Sequence, residues 1–431
     1  MLYIFVAYLS FFGIYLSQRY SQLNNGRLCL EKFTYLVVGF FYIIIPVFYL
    51  TSFDNLKENS YNFWVLKTDD DFESLSYAML IYLLAMTSLI SGIVIGKKIK
   101  VENIILNSVL LNRFSYFCCA MGVISILVTL LYIYKVGGIV QAIVDANLYR
   151  AHGLKEPPIG QLAKLQPIII NASLLVLAMK IRFRYAFITA AFLYLFIEAS
   201  RTNLGLYLIV IYLFKINFDN NFKLFKLIFP VFIAVFMAYL GNSITDYIET
   251  GVWSLNNGLF YSVISQFSPT FSNVMNSYNF VEQYGFGYLE DALSIFPQVM
   301  FGFEKTTKTW ELLTEYYLGG FYTVGIPIDL LSYSYSQFGF VGALLMPFFF
   351  GIIIGFLSKK MNNIISSTKE GTKERALAIM IELILAMFIM ALINWASLDS
   401  TVFYGSIKYW IFIVVFFLLI RIKGHNEYIA R

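Results

Sequence analysis

Apolar residues along this chain fall in long unbroken blocks, not in the alternating or every-third-position patterns of half-buried strands and amphipathic helices. Blocks of roughly 15 to 25 residues are the length of a membrane span. They recur near 2–17, 34–52, 75–96, 114–135, 161–180, 185–199, 202–217, 227–246, 338–357, 376–396 and 406–420. A helix that is apolar on every face must be covered by lipid or by other helices. The pattern therefore predicts an all-α polytopic transmembrane helix bundle of about 11 spans. Spans 6 and 7 are short, and the polar stretch Glu198-Ala-Ser-Arg-Thr-Asn203 separates them.

The largest interruption is 247–337, about 90 residues rich in Tyr, Asn, Ser and Gly, lying between spans 8 and 9. Helix-like stretches such as Tyr288-Leu-Glu-Asp-Ala-Leu-Ser-Ile295 predict a folded cap on a single integral membrane domain that occupies 1–431. Orientation follows from the basic residues, because Lys and Arg stay on the cytoplasmic side. With the C-terminus inside, the segments 18–33, 97–113, 180–184, 215–226, 358–375 and 421–431 hold 21 of the 31 Lys and Arg. An odd number of spans then puts the N-terminus outside. The cap lands on the extracytoplasmic face, as do 136–160 and the acidic loop carrying Asp54, Glu58, Asp69, Asp70, Asp71 and Glu73.

Composition agrees with this pattern. Hydrophobic residues make up 59% and charged residues 13%, which leaves too little charge to clothe a soluble protein of 431 residues. No alternating segments of about ten residues suggest an outer-membrane barrel. The net charge of +5 is scattered through short connections and forms no patch, so no nucleic-acid partner is expected. Three cysteines supply no disulfide framework, and the N-terminus lacks the charged lead-in of a cleaved signal peptide.

Candidate chemistry is sparse. No phosphate-cradling Gly-x-x-x-x-Gly-Lys-Ser/Thr loop exists; Gly92 and Gly96 form a Gly-x-x-x-Gly within span 3, a spacing suited to close helix packing. The only histidines, His152 and His425, fall on opposite faces, so neither a metal nor another cofactor is expected. Asp69-Asp70-Asp71 has the spacing of a cation-holding pair, or is simply the acidic counterpart of the positive inside loops. Arg201 stands at a membrane boundary with Glu198 three residues earlier on the same helical face. Two readings stay open: the pair locks spans 6 and 7 together, or Glu198 orients Arg201 to hold a diphosphate. Arg150 and His152, in Leu148-Tyr-Arg-Ala-His-Gly153, add cationic points outside or form a solvated loop. In the cap, Tyr284-Gly-Phe-Gly-Tyr288 precedes Glu290, Asp291 and Pro297. Lys305, Lys308, Tyr322, Asp329, Tyr333 and Tyr335 follow. Interleaved rings and side-chain oxygens suit a sugar cleft, although an aromatic belt at the membrane interface explains some of the rings without explaining the glycines.

Three stretches together resemble the Wzy-type polymerases of bacterial O-antigen repeat units: Ser200-Arg-Thr-Asn-Leu-Gly205, Gly285-Phe-Gly-Tyr-Leu289 with Phe296-Pro297, and Gly320 through Gly342 entering the next span. The resemblance covers spans 6 to 9 and the cap. It implies a GT-C-like membrane fold and a metal-independent glycosyl transfer on the outer face of the bacterial inner membrane. Undecaprenyl-diphosphate carries both donor and acceptor, and a chain-length regulator is the expected partner. By this resemblance Arg201 contacts the diphosphate, with Arg150 and Lys305 as weaker matches. Candidates for the base are Asp329, Glu290, Asp246 and His152, in that order. Glu198, Tyr288, Tyr322 and Tyr333 join Arg150, His152 and Lys305 as substrate contacts. An O-antigen ligase and a lipid-linked oligosaccharide flippase or transporter are the competing readings.

Overall fold

The computed structural model describes residues 26–46, 72–101, 106, 108–145, 157–198, 201–233, 236, 270–295, 307–319, 326–396 and 399–429. All regular structure among them is helical. The principal helices are α1 (Leu30–Gly39, continuing as a π turn through Ile44), α2 (Phe72–Gly96), α3 (Ser108–Val136), α4 (Ile168–Ala178) and α5 (Arg184–Ile197). They are followed by α6 (Arg201–Phe218), α7 (Ser277–Tyr284), α8 (Thr309–Leu318), α9 (Leu330–Ser366), α10 (Lys373–Asn394) and α11 (Ile407–Ile429). Five of the described helical stretches are long and apolar enough to cross a membrane: Ser76–Gly96, Ser108–Val136, Gly160–Ala178, Leu330–Ser366 and Lys373–Asn394. The expected span 2–17, and parts of 34–52 and 227–246, lie outside the described residues.

Helix α10 is the axis of the bundle. Its apolar window is 78% buried, against 33% for α3 and α9. Thr372 caps its start by accepting the backbone N–H of Arg375 at 3.3 Å, and Glu374 places a negative charge in the first turn. On α3, by contrast, Tyr116, Leu127 and Leu130 are exposed, as an outer helix in lipid requires. Apolar packing between helices gains little over packing against lipid tails, so small residues and polar contacts do much of the joining. Ser125 Oγ donates to the Gln166 carbonyl at 2.6 Å, Asn171 Nδ2 to the Lys408 carbonyl at 2.6 Å, and Ser173 Oγ shares a hydrogen bond with Tyr207 at 2.8 Å.

The α2–α9 pair is packed most closely. A Cβ added at Gly92 would run into the Phe348 carbonyl, at Gly96 into that of Ile352, at Gly351 into that of Leu89, and at Gly355 into that of Ile93. The Gly-x-x-x-Gly of span 3 thus serves backbone contact, and a second one on α9 meets it. Pro347 deprives α9 of one backbone donor, and Ser88 Oγ of α2 donates to the Leu344 carbonyl in the preceding turn.

Helix α9 is bent. Phe338 (φ −144°, ψ 22°) and Gly339 (φ 61°, ψ −143°) leave helical geometry, splitting off a buried first segment, Leu330–Gln337. The second segment begins where the hydropathy pattern starts span 9. The break is possible because Gly339 adopts a positive φ without a Cβ penalty. The first segment belongs to the polar cap in sequence, yet it is packed inside.

Candidate functional site

The cap is assembled on the broken start of α9. The stretch Tyr284-Gly-Phe-Gly-Tyr288 lies across the bend as a strap: the Gly287 N–H donates to the Ser336 carbonyl at 3.0 Å and the Tyr288 N–H to the Gln337 carbonyl at 3.3 Å. The Leu289 N–H donates to Gln337 Oε1 at 2.7 Å. A Cβ on Gly287 would come within 2.6 Å of Gln337 Oε1, so a side chain there would push aside the amide that holds the Leu289 N–H. Tyr288 and Leu289 both hold positive φ, 45° and 61°, a strained turn kept by these three bonds.

Beneath the strap is a buried polar network. Asp291, 2% exposed, accepts from Tyr333 Oη at 2.7 Å and from Thr309 Oγ1 at 2.9 Å. Asn276 Nδ2 and Oδ1 meet the hydroxyls of Tyr317 and Tyr316 at 3.3 Å each. Asn273 Nδ2 donates to the Pro327 carbonyl at 2.8 Å. These bonds tie α7, α8 and the start of α9 together.

The expected site residues divide by burial. Tyr288 is 60% exposed, and Glu290, two residues on, is also exposed. Asp329 is 1% exposed and caps α9: it accepts from the backbone N–H groups of Leu331 (3.0 Å) and Ser332 (3.3 Å), from Ser332 Oγ, and from Tyr42 Oη at 3.0 Å. Burial pushes this carboxyl up to about 6, against the hydrogen bonds from Ser332, Tyr42 and Leu331, which lower it. Tyr333 is fully buried on Asp291. Glu198 ends α5, with its N–H on the Tyr194 carbonyl at 2.9 Å; its Oε2 is buried and has no hydrogen-bond partner among the described residues. Arg201 opens α6. The Arg201 side chain lies outside the described residues, as do Arg150, His152, Asp246, Lys305 and Tyr322.

One charged site was not anticipated from the sequence. At the opposite end of the bundle from the cap, Arg27 Nε pairs with Glu382 Oε2 at 3.2 Å, the side chains being 12% and 1% exposed. Glu382 Oε1 accepts the Leu30 N–H at 3.2 Å, and the Arg27 guanidinium also reaches Asn362 Oδ1. Lys97 pairs with Glu31 at 2.7 Å, and Asn217 holds the Leu28 backbone from both sides, at 2.9 and 3.1 Å. The signal was present: Glu382 is the sole charge within the apolar run 376–394, and a lone intramembrane charge needs a partner.

No family model, curated protein or solved structure matches this chain.

Proposed function

We propose that the protein polymerises undecaprenyl-diphosphate-linked oligosaccharide repeat units, as a multi-pass glycosyltransferase of the bacterial inner membrane. In this reading it has eleven spans in a GT-C-like arrangement, N-terminus outside, with the cap on the extracytoplasmic face. The observation that carries the reading is the strap at the end of two long apolar helices, on which Tyr288 and Glu290 are both exposed to the surroundings.

The chemistry needs few groups. A hydroxyl of the acceptor's non-reducing sugar attacks the donor's anomeric carbon; the carbon–oxygen bond to the lipid diphosphate breaks, and the diphosphate leaves with the electron pair. A carboxylate takes the hydroxyl proton, and cations stabilise the leaving group. Glu290, exposed two residues after Tyr288, replaces Asp329 as first candidate for the base, because Asp329 is sealed in and occupied as a helix cap. Arg201 stays with the diphosphate.

The buried Arg27–Glu382 pair favours a second reading, a lipid-linked oligosaccharide flippase or transporter, since such proteins keep charges within their spans. That pair is held by Asn362 and the Leu30 N–H, a setting that also suits a fixed structural clasp. A gel of surface glycan from a host lacking the gene separates the readings. A ladder that collapses to core plus one repeat unit, restored by the wild type but not by Arg201→Ala or Glu290→Gln, supports the polymerase. Loss of even the single unit overturns it in favour of a ligase or flippase.

A further inference from the structure

The tight turn between α4 and α5 carries three cations within five residues. Lys180 follows the end of α4 in a left-handed conformation (φ 53°), with the Ile181 N–H on the Val176 carbonyl at 3.2 Å. Arg182 comes next, and Arg184 opens α5, whose first turn has no acidic residue and no side-chain cap. Positive charge at a helix N-terminus is opposed by the helix dipole. Among the described residues none of the three cations takes part in an ion pair. Each arginine is instead laid against the ring that follows it. Arg182 Cζ is 5.8 Å from the centre of the Phe183 ring and Arg184 Cζ 4.8 Å from that of Tyr185, and Arg184 Nη2 donates to Tyr185 Oη at 3.2 Å. Both rings are 65% exposed.

The neighbouring helix α3 fixes the depth of this turn. Ser125 Oγ donates to the Gln166 carbonyl at 2.6 Å and accepts the Ile169 N–H at 3.2 Å, while a Cβ on Gly122 would meet Ala172 and Phe187. Helix α4 therefore runs antiparallel to α3, and α5 returns beside it. From Gly122 back to its start at Ser108, α3 extends about 21 Å, whereas α4 has only about 12 Å to run from Ala172 to Lys180. The turn thus stops about 9 Å short of the end of α3. With 29 residues, about 43 Å, α3 matches a bilayer together with both headgroup layers. Its ends reach the water boundary, and the α4–α5 turn stands where headgroups meet hydrocarbon. Exposed aromatic rings belong at that level, and an arginine there needs an anion at hand.

We propose that Lys180, Arg182 and Arg184 bind the headgroup of an anionic phospholipid, with Phe183 and Tyr185 anchored at the roots of its acyl chains. The phosphates of lipids already lie at the height of the turn, whereas a free phosphate would have to leave bulk water to reach it. A zwitterionic headgroup brings its own cation, so three positive charges without an acidic partner favour a lipid of net negative charge. The site goes beyond the polymerase reading and does not rest on it.

The test uses the purified full-length chain. In detergent, native mass spectrometry follows the binding of phosphatidylglycerol, with phosphatidylcholine as the zwitterionic comparison and glycerol 3-phosphate as the soluble anion. Arg182→Gln and Arg184→Gln should each weaken phosphatidylglycerol binding about fivefold, the scale of one basic residue at an anionic surface. The double change Arg182→Lys/Arg184→Lys keeps both charges and should stay within about threefold of the wild type. Lys369→Gln/Lys373→Gln, which removes two exposed cations that neighbour Glu370 and Glu374, is the control and should stay within about twofold. In a second arm, phosphatidylglycerol bearing a diazirine on its headgroup is placed in phosphatidylcholine nanodiscs with the wild type, and light should attach it within 180–185. The proposal is overturned if phosphatidylcholine binds as tightly as phosphatidylglycerol, or if the double change Arg182→Gln/Arg184→Gln binds as the wild type does. Displacement of the lipid by an equal concentration of glycerol 3-phosphate overturns it in favour of a free-anion site. Should the double Gln variant not fold, absence of labelling within 180–185 of the wild type overturns it instead.

Discussion

Alanine at Gly92 should force apart two helices that touch backbone to backbone. A Cβ built there collides with the Phe348 carbonyl oxygen and comes within 3.0 Å of Ile352 N. Both obstacles are backbone atoms, which cannot swing aside as a side-chain tip can, so α2 and α9 must separate along their whole seam. Overpacking of this kind costs about 1–3 kcal/mol. Against it stands the gain of about 0.8–1 kcal/mol in helix propensity on replacing glycine by alanine. Gly405 supplies the control: it is helical and exposed, and a Cβ there meets nothing within 4 Å. Gly405 closes the short helix Ser400–Gly405, where the propensity gain is at most that at Gly92, so the difference between Gly92→Ala and Gly405→Ala is a lower bound on the overpacking term of about 1–3 kcal/mol. Equilibrium unfolding in mixed micelles with increasing denaturing detergent, followed by circular dichroism, measures it. Gly351→Ala should behave like Gly92→Ala. Equal shifts at Gly92 and Gly405 would refute the seam.

Three further perturbations probe other parts of the molecule. Glu382→Ala leaves Arg27 buried without its counter-charge and should cost about 3–5 kcal/mol, whereas the double change Arg27→Met/Glu382→Leu should come close to wild-type stability; thermal midpoints in detergent distinguish a buried pair from a solvated one, for which both changes would be small. Gln337→Ala takes the acceptor from the Leu289 N–H and should loosen the strap by about 1–3 kcal/mol, read as faster limited proteolysis within 284–291; unchanged cleavage would show that the strap is held by other means. Asp329 titrates near 6 when folded against 3.8 for a free carboxyl. The native state therefore binds more protons than the unfolded state between those values, and stability should fall as pH rises from 3.8 to about 6. Asp329→Asn should flatten that slope, and an unaltered pH profile would count against the burial argument.

Hydropathy located the helices well because lipid imposes one demand on every span. The apolar run 376–396 became α10 at Lys373–Asn394, and the expected start of span 9 at 338 coincides with the break at Phe338–Gly339. The polar stretch at 198–203 marks the boundary between α5 and α6, although α5 has only 14 residues, about 21 Å at 1.5 Å per residue, short of a full crossing. The contents of the cap were less legible, because a residue's type does not say which way it faces. Tyr333 and Asp329 read as sugar-facing groups, but four residues apart on one helical turn they point into the bundle, where Asp291 and Tyr42 satisfy them. The glycines of the Tyr-Gly-Phe-Gly-Tyr stretch, which an aromatic belt could not account for, have local structural reasons: Gly287 makes room for Gln337, and Gly285 takes the positive φ that ends α7. Their presence therefore no longer counts as a sign of ligand binding. The same partition strengthens what remains. Of the site residues expected in the cap and described, Tyr288 and Glu290 stay outside, while Asp329 and Tyr333 are sealed in.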